Sequence, residues 1–177
     1  MNCFPMMIPL EGKRVVLVGG GNVALRKAEK LRLFGAKIAV CAPVVLPALA
    51  ALADEKHARY QKDLLFGAAF AVAATDDRAL NAAVAEDCNR LGIPVNSVDA
   101  PSECSFYFPA VITEGNVTVA VSTGGASPAL AAALKRYIAS RLPENLNEIC
   151  KRAETLRGTM PAEEYAAAVQ KLLEDES

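Results

Sequence analysis

Residues 15–24 read Val-Val-Leu-Val-Gly-Gly-Gly-Asn-Val-Ala, and this stretch decides the fold. Its first four residues are apolar, as in a strand that is buried in a parallel sheet. Three glycines follow, and then a helical pattern begins. Gly19 permits a tight turn, Gly21 lets backbone N–H groups approach a pyrophosphate, and Ala24 allows close helix packing. The stretch therefore predicts a nucleotide-binding turn that leads into the positive N-terminal end of a helix.

The surroundings of this turn favour dinucleotide binding over a bare strand-to-helix connection. A helix over 22–34 is followed by a second apolar strand, Lys37 to Cys41, which completes a βαβ unit. The acidic residue that usually binds the ribose after the second strand is missing, because Cys41-Ala42-Pro43 stands there. No Arg or Lys is present at this place to hold a 2′-phosphate. We therefore expect NAD rather than NADP, with contacts from backbone groups of Pro43 and Val44.

Strand and helix patterns continue to alternate after this unit, which predicts a parallel sheet. The elements expected are a helix over 44–55, strands over 58–61, 70–74 and 93–98, and a helix over 79–91 with Asp76 or Asp77 at its N-terminus and Gly92 at its end. Ligands bind at the carboxyl ends of the strands in such sheets. Asn96 and Asp99 belong to that end.

The pattern changes after residue 109. The elements expected there are a hairpin of strands 110–113 and 117–122, a loop over 122–128 with Ser127 as the helix cap and Pro128 in the first turn, and helices over 129–141, 144–157 and 161–173. We thus predict an α/β protein with a Rossmann-type parallel sheet, then a hairpin and helix region, then a helical C-terminal part. The expected domains are 1–109, 110–143 and 144–177.

Composition excludes several classes of function. A net charge of −1 gives no reason to expect a nucleic-acid partner. The five cysteines are scattered and lack C-x-x-C spacing, which is typical of reduced thiols in a cytoplasm. The single histidine, His57, excludes a histidine-built zinc site and is unsuited to a Ser-His-Asp triad. No apolar run is long enough to span a membrane. We expect a cytoplasmic protein with no resident metal and no membrane partner.

Three groups of residues are candidates for catalysis or for ligand binding. Asp99 would act as a general acid or base if burial raised its pKa, or it would only start the Asp-Ala-Pro turn. The 122–128 loop offers hydroxyls, glycine N–H groups and a helix N-terminus to an anion, or it is an ordinary capped loop. Arg26 and Lys27, near the start of the first helix, are more typical of solvated charges than of phosphate contacts.

These segments, in this order, resemble the precorrin-2 dehydrogenase and ferrochelatase module of siroheme synthases, which also occurs as a free-standing protein. The resemblance covers about residues 4 to 145. Its stretches are Val-Gly-Gly-Gly-Asn-Val-Ala-Leu-Arg-Lys at 18–27, Ala-Ala-Thr-Asp-Asp at 73–77, Asn-Ser-Val-Asp-Ala-Pro at 96–101, Ser105-Phe106 with Pro109-Ala110, and Val-Ala-Val-Ser-Thr-Gly-Gly-Ala-Ser-Pro at 119–128.

The resemblance implies NAD-dependent oxidation of precorrin-2, a polycarboxylate tetrapyrrole, to sirohydrochlorin in siroheme biosynthesis. It also implies a homodimer in which 110–143 is the dimerisation and substrate region, and it leaves iron insertion open. It makes Asp99 the catalytic residue. The cofactor contacts expected are Gly19, Gly21, Asn22, Val23, Pro43, Val44 and Thr75. The substrate contacts expected are Asn96, Ser122, Thr123, Gly124 and Ser127.

Two other interpretations stay open at this point. A non-catalytic NAD-sensing module, similar to the regulatory Rossmann modules of ion channels, would need the glycine turn but neither Asp99 nor the Ser-Thr-Gly-Gly loop. A chelatase without a redox step would have no use for the glycine turn, and the intact Gly19 to Ala24 spacing argues against it.

Overall fold

The computed structural model describes residues 3–98 and 100–175. The chain divides into two compact units, one that ends at Tyr107 and one that begins at Phe108. The three-part division expected from the sequence stays a prediction. The α/β fold class is confirmed, because one unit holds a parallel sheet with helices and the other holds a hairpin with helices.

The unit up to Tyr107 is built on a five-stranded parallel sheet. Its strands are β1 (Arg14–Val18), β2 (Lys37–Cys41), β3 (Glu55–His57), β4 (Ala68–Ala73) and β5 (Val95–Ser97), and its helices are α1 (Asn22–Arg32), α2 (Pro47–Leu52) and α3 (Arg78–Leu91). The strand order is β3-β2-β1-β4-β5. From β1 the chain adds β2 and β3 on one side of the sheet and then crosses to add β4 and β5 on the other side. The boundary between β1 and β4 is therefore a topological switch point, where open α/β sheets bind ligands.

The core of this unit lies on both faces of the central strands. Val15 to Val18 in β1 are completely buried, as the continuous apolar run predicts. Helix α1 turns Ala24, Ala28 and Leu31 towards the sheet, and the two small alanines let the helix approach the strands closely. The start of α1 is therefore held close to the end of β1, where the glycine turn joins them.

Helix α3 has the ends that the sequence predicts. Asp77 is the N-cap, and its Oδ1 accepts hydrogen bonds from the N–H groups of Ala79 and Leu80 at 2.9 and 3.1 Å. Gly92 ends the helix with a φ of 68°, in the left-handed region that glycine adopts without strain. These two caps fix where the chain leaves β4 and where it enters β5.

The second unit begins with the antiparallel strands β6 (Ala110–Glu114) and β7 (Val117–Val121). Three helices follow, which are α4 (Pro128–Ala139), α5 (Leu146–Leu156) and α6 (Ala162–Glu174). Ser127 caps α4 by accepting a hydrogen bond from the Leu130 N–H at 3.2 Å, and Pro128 lies in the first turn, so both predictions are confirmed. Every residue of β6, β7 and α4 is at least partly exposed.

The predictions were wrong for the segment between β2 and β4. The expected helix over 44–55 is confined to Pro47–Leu52, and the strand expected over 58–61 is β3, Glu55–His57. Asp54 explains the difference. Its N–H donates to the Ile38 carbonyl at 2.8 Å, and its Oδ2 accepts from the Ile38 N–H at 2.6 Å and from Arg32 at 2.9 Å. These bonds end the helix early and bring the chain onto the edge of β2.

Arg14 joins β1 to the outer strand β3 by a bidentate ion pair. Its Nε and Nη2 donate to the two carboxylate oxygens of Glu55, each at 2.9 Å, and its Nη1 donates to the Leu64 carbonyl at 2.7 Å. The guanidinium, with a smaller contribution from His57, lowers the pKa of Glu55 to about 2.

This ion pair predicts a specific acid sensitivity. The folded-state pKa of Glu55 is lower than that of an unfolded glutamate, about 4.3, so the contribution to stability is complete above that value and is lost as the pH falls towards 2. Urea unfolding from pH 6 to pH 2.5 should show that wild-type stability falls more steeply than that of Glu55→Gln. Glu86→Gln, in an exposed helix pair with Arg90, is the control and should retain the wild-type steepness. Parallel curves for wild type and Glu55→Gln would contradict the assignment.

Candidate functional site

The glycine turn is held between the loops that follow β2 and β4. Gly19 has a φ of 137°, and a Cβ placed on it would lie 2.2 Å from the carbonyl oxygen of Ala74. A Cβ on Gly20 would lie 1.9 Å from the carbonyl oxygen of Val44. A backbone hydrogen bond also holds Gly20 against the loop after β2, because the Leu46 N–H donates to Gly20 O at 2.9 Å. Only glycine fits at these two positions, because backbone packs directly on backbone.

Gly21 is different from the two glycines before it. Its φ is −93°, which any residue adopts, and a Cβ placed on it would meet no atom of the described protein within 4 Å. It is the N-cap of α1, and within the described chain no side chain caps that helix and no acidic residue lies in its first turn. The first N–H groups of α1 have no intrahelical partner, and they lie at the positive end of the helix beside the open space at Gly21, which fits a phosphate group.

The loop after β2 brings Pro43 and Val44 beside the turn. Both are exposed, and the side chain of Val44 is 81% exposed although it is apolar. The segment from Cys41 to Leu46 supplies no charged side chain. This edge of the sheet therefore offers backbone groups and an apolar surface, as expected of a contact to the adenosine part of a dinucleotide without a 2′-phosphate.

The loop after β4 brings Thr75 to the same edge, where Asn81 holds it. The Asn81 side chain is completely buried. Its Oδ1 accepts from the Thr75 N–H at 3.1 Å and from the Thr75 hydroxyl at 2.7 Å, and its Nδ2 donates to the Thr75 carbonyl at 2.9 Å. Asn81 was not among the residues predicted for the site. One signal could have found it, because Asn81 takes a place in the apolar stripe that Val84, Ala85 and Cys88 form on α3.

The end of β5 is organised around Cys104. Asn96 and Ser97 are buried there. The Nδ2 of Asn96 donates to the Phe106 carbonyl at 3.0 Å, so this amide holds the following loop in place. The Cys104 thiol accepts from the Ser97 N–H at 3.3 Å and donates to the Ser97 carbonyl at 3.1 Å, and burial raises its pKa. Asp99, the predicted catalytic residue, lies outside the described residues.

Lys27 departs from the expected solvated helix charge. Arg26 is exposed, but Lys27 is half-buried, and this burial, with a smaller effect of Lys30, lowers the pKa of its amine to about 8. The nearby thiol of Cys104 acts in the opposite direction, so burial is the main cause of the lowered pKa. The burial of a residue in the second turn of a helix depends on what packs there, which the local pattern does not contain.

In the second unit, the predicted substrate residues form a loop that is closed by its own hydrogen bonds. The Thr123 hydroxyl donates to the Ser127 carbonyl and accepts from the Ser127 N–H, both at 3.0 Å. Ser122 Oγ accepts from the Gly124 N–H at 3.1 Å, and Ser127 Oγ accepts from Leu130. In these bonds Ser122 and Ser127 act as acceptors, so each keeps its hydroxyl hydrogen to donate, whereas Thr123 is used in both directions within the loop.

In the part of the chain that the structure describes, no three His, Cys, Asp or Glu side chains lie close enough together to hold a metal ion. None of the helices described has the length and apolar character needed to cross a membrane.

The chain belongs to a family of NAD(P)-binding proteins. The family model described as "Putative NAD(P)-binding" matches residues 6–110, which is more than half of the chain. A second model, described as "Sirohaem biosynthesis protein central", matches residues 114–141. The first match covers the glycine turn and the parallel sheet, and the second covers β7 and α4 with only the last residue of β6.

Several similar proteins are siroheme synthases. The siroheme synthase of Psychrobacter cryohalolentis is 39% identical over 167 residues, which are 92% of this chain and 32% of the relative. That of Pseudomonas putida (strain W619) is 41% identical over 162 residues, 89% of this chain and 35% of the relative. The chain spans about a third of the length of these relatives.

The chain is also similar to a protein whose structure has been solved. The chain is similar to the protein titled "SirC, precorrin-2 dehydrogenase", with a TM-score of 0.73 and 25% identity, over 97% of this chain and 89% of that chain. The resemblance identified from the sequence is thereby confirmed.

The different surroundings of Gly19 and Gly21 predict unequal effects of the same substitution. Gly19→Ala should lower the free energy of unfolding by more than about 2 kcal/mol, because the methyl group meets the Ala74 carbonyl and φ is positive. Gly21→Ala should lower it by at most about 1 kcal/mol, the usual difference between Gly and Ala at an N-cap, because the methyl group meets no atom of the described residues within 4 Å. Chemical denaturation measures both. Equal destabilisation by the two variants would show that the turn is packed differently.

Proposed function

We propose that the chain catalyses the NAD-dependent dehydrogenation of precorrin-2 to sirohydrochlorin, a step of siroheme biosynthesis. The observation that carries the proposal is the glycine turn at the switch point of the sheet. Gly19 and Gly20 are locked there by backbone contacts, and Gly21 borders open space at the uncapped start of α1. The family match and the similarity to a precorrin-2 dehydrogenase support the same activity.

Different residues at this edge of the sheet would contact different parts of NAD. The N–H groups at Gly21, Asn22 and Val23 would bind the pyrophosphate, with Gly19 shaping the turn. Pro43 and Val44 would contact the adenosine part, and Thr75 would bind a ribose hydroxyl. NAD is favoured over NADP, because the loop after β2 carries no cation for a 2′-phosphate. When bound, NAD accepts the hydride that the substrate loses.

The chain's own residues would bind the substrate and take its proton. Dehydrogenation removes a hydride and a proton, and a carboxylate oxygen of Asp99 would accept that proton as general base. The hydroxyls of Ser122 and Ser127 still have hydrogens to donate, so they would bind substrate carboxylates. Thr123 and Gly124 would shape this loop, because their polar groups bond within it. Asn96 would contact the substrate at the end of β5.

Anaerobic conversion of precorrin-2, followed by absorbance with NAD present or withheld, tests the proposed activity. Wild type should require NAD. Asp99→Asn should lose at least about a hundredfold in rate, as expected for loss of a general base, and should keep its NAD affinity. Asp76→Asn removes the same charge at an exposed position and should keep the activity. Normal turnover by Asp99→Asn would contradict its role as the base.

The same assay separates the alternative functions. NAD binding without conversion of precorrin-2 by a folded wild type would favour the sensing module. Iron insertion into sirohydrochlorin that proceeds without NAD would favour the chelatase, and iron insertion beside NAD-dependent oxidation would show that one chain performs both reactions.

We also infer that the chain forms a homodimer through its second unit. On α4, the side chains of Leu130, Leu134 and Tyr137 are 51%, 39% and 56% exposed, and their spacing puts them on one face of the helix. The neighbouring strands β6 and β7 have no fully buried residue. An apolar helix face beside a thin hairpin is typical of a surface that a second copy covers.

Charge placed on this face should break the dimer. Leu130→Glu combined with Leu134→Glu should shift the mass measured by light scattering during size-exclusion chromatography from two chains to one. Leu33→Glu is the control, because Leu33 is 72% exposed at the end of α1 in the other unit. A monomeric wild type, or a dimer that survives the double substitution, would refute this interface.

A further inference from the structure

We propose that Asn81 is a positioning residue of the dinucleotide site, which makes the loop after β4 a hydrogen-bond acceptor for a ribose hydroxyl. The inference rests on the proposed function, because it requires NAD at the glycine turn. It concerns a residue that touches the loop and not the ligand.

Both donors of Thr75 are used within the protein, the N–H by Asn81 and the hydroxyl by Asn81 and by the Asp77 carbonyl, which lies 3.0 Å from Thr75 Oγ1. The Thr75 N–H and hydroxyl both lie within hydrogen-bond distance of Asn81 Oδ1, at 3.1 and 2.7 Å. The Thr75 Oγ1 also accepts from the Asp77 N–H at 3.2 Å. Thr75 still has two acceptor positions. One is the remaining lone pair of Oγ1. The other is on the carbonyl oxygen, which uses one of its two lone pairs to accept from Asn81 Nδ2. A ribose hydroxyl is a donor that fits such acceptors, whereas a phosphate oxygen is not.

The same clamp supports the wall of the glycine turn. Ala74 precedes Thr75, and its carbonyl oxygen is the atom that excludes any Cβ at Gly19. The Ala74 N–H donates to the Val18 carbonyl at 2.7 Å, and the Asn81 N–H donates to the Asp77 carbonyl at 3.0 Å. The loop is therefore tied to β1 on one side and to α3 on the other. A shift of Thr75 would displace the backbone that the glycine turn packs on.

Packing alone does not account for an asparagine at this place. The other buried positions on this face of α3 are Val84, Ala85 and Cys88, and an apolar side chain at 81 would avoid the cost of burying an amide. Asn81 instead places its amide against one residue at three points. A buried polar group satisfied in this way fixes one local geometry, which is what a binding loop requires.

Asn81→Ala and Val84→Ala provide a matched pair for the test. Both open a cavity on the buried face of α3, but only the first removes the Asn81 bonds to the N–H and carbonyl of Thr75, while its hydroxyl stays bonded to Asp77. Titration calorimetry with NAD, at a temperature where both variants are folded, should give an affinity about tenfold weaker for Asn81→Ala, as for the loss of about one hydrogen bond. Val84→Ala should stay within about twofold of wild type. Wild-type affinity in Asn81→Ala, with only a lower Tm, would overturn the proposal and leave Asn81 a packing residue.

Asn81→Asp adds a readout that a purely structural role would not move. One oxygen of the new side chain keeps the acceptor for Thr75, and the other can donate to the Thr75 carbonyl only when it is protonated. NAD affinity relative to wild type should therefore recover as the pH is lowered from 8 to 5. A ratio that does not change with pH would contradict the clamp.

Hydrogen exchange without NAD separates this inference from the proposed function. The Thr75 amide should exchange about tenfold faster in Asn81→Ala than in wild type, because it loses its acceptor. If that acceleration is seen and wild type does not bind NAD, the proposed function fails and the role in the dinucleotide site fails with it. If wild type binds NAD and the Thr75 amide is not accelerated, the inference about Asn81 is wrong by itself.

Discussion

The structure depends on the packing of the glycine turn against two backbone carbonyl oxygens. Gly19 lies against Ala74 O and Gly20 lies against Val44 O, at distances that leave no room for a Cβ. This contact draws the loops after β2 and β4 to the end of β1. The N-terminus of α1 is thereby fixed between them, with its first N–H groups beside the open space at Gly21. The start of α1, the loops after β2 and β4 and the end of β1 therefore form one site, because backbone packs directly on backbone at Gly19 and Gly20.

The site divides hydrogen-bond donors and acceptors between its parts. The start of α1 supplies N–H groups and a positive dipole, which suit phosphate oxygens. Thr75 offers lone pairs, because Asn81 and the Asp77 carbonyl take up its donors. A dinucleotide has both kinds of group, since its phosphates accept hydrogen bonds and its ribose hydroxyls donate them. Thr123 in the second unit is used in the same way as Thr75, as its hydroxyl is committed within its own loop.

Much of this could be predicted from the sequence, because several features depend on residues close together in the chain. The turn at Gly19, the N-caps at Asp77 and Ser127, and the end of α3 at Gly92 are all local, and all were predicted. The early end of α2 was not, because Asp54 bonds to Ile38 and Arg32 from distant parts of the sequence. The half-buried state of Lys27 and the clamp by Asn81 were missed for the same reason, since each depends on a neighbour brought near by folding.

The most direct test of the account is the titration of NAD into wild type and Gly21→Asp. The substitution puts a carboxylate before α1, where a Cβ meets no atom of the described residues within 4 Å, and Asp is a favourable N-cap residue, so the Tm of the variant should be no lower than that of wild type. The account predicts that wild type binds NAD and that Gly21→Asp binds it at least about a hundredfold more weakly, from steric exclusion and charge repulsion at the pyrophosphate. Equal affinity in the two proteins, or a folded wild type that does not bind NAD, would contradict it.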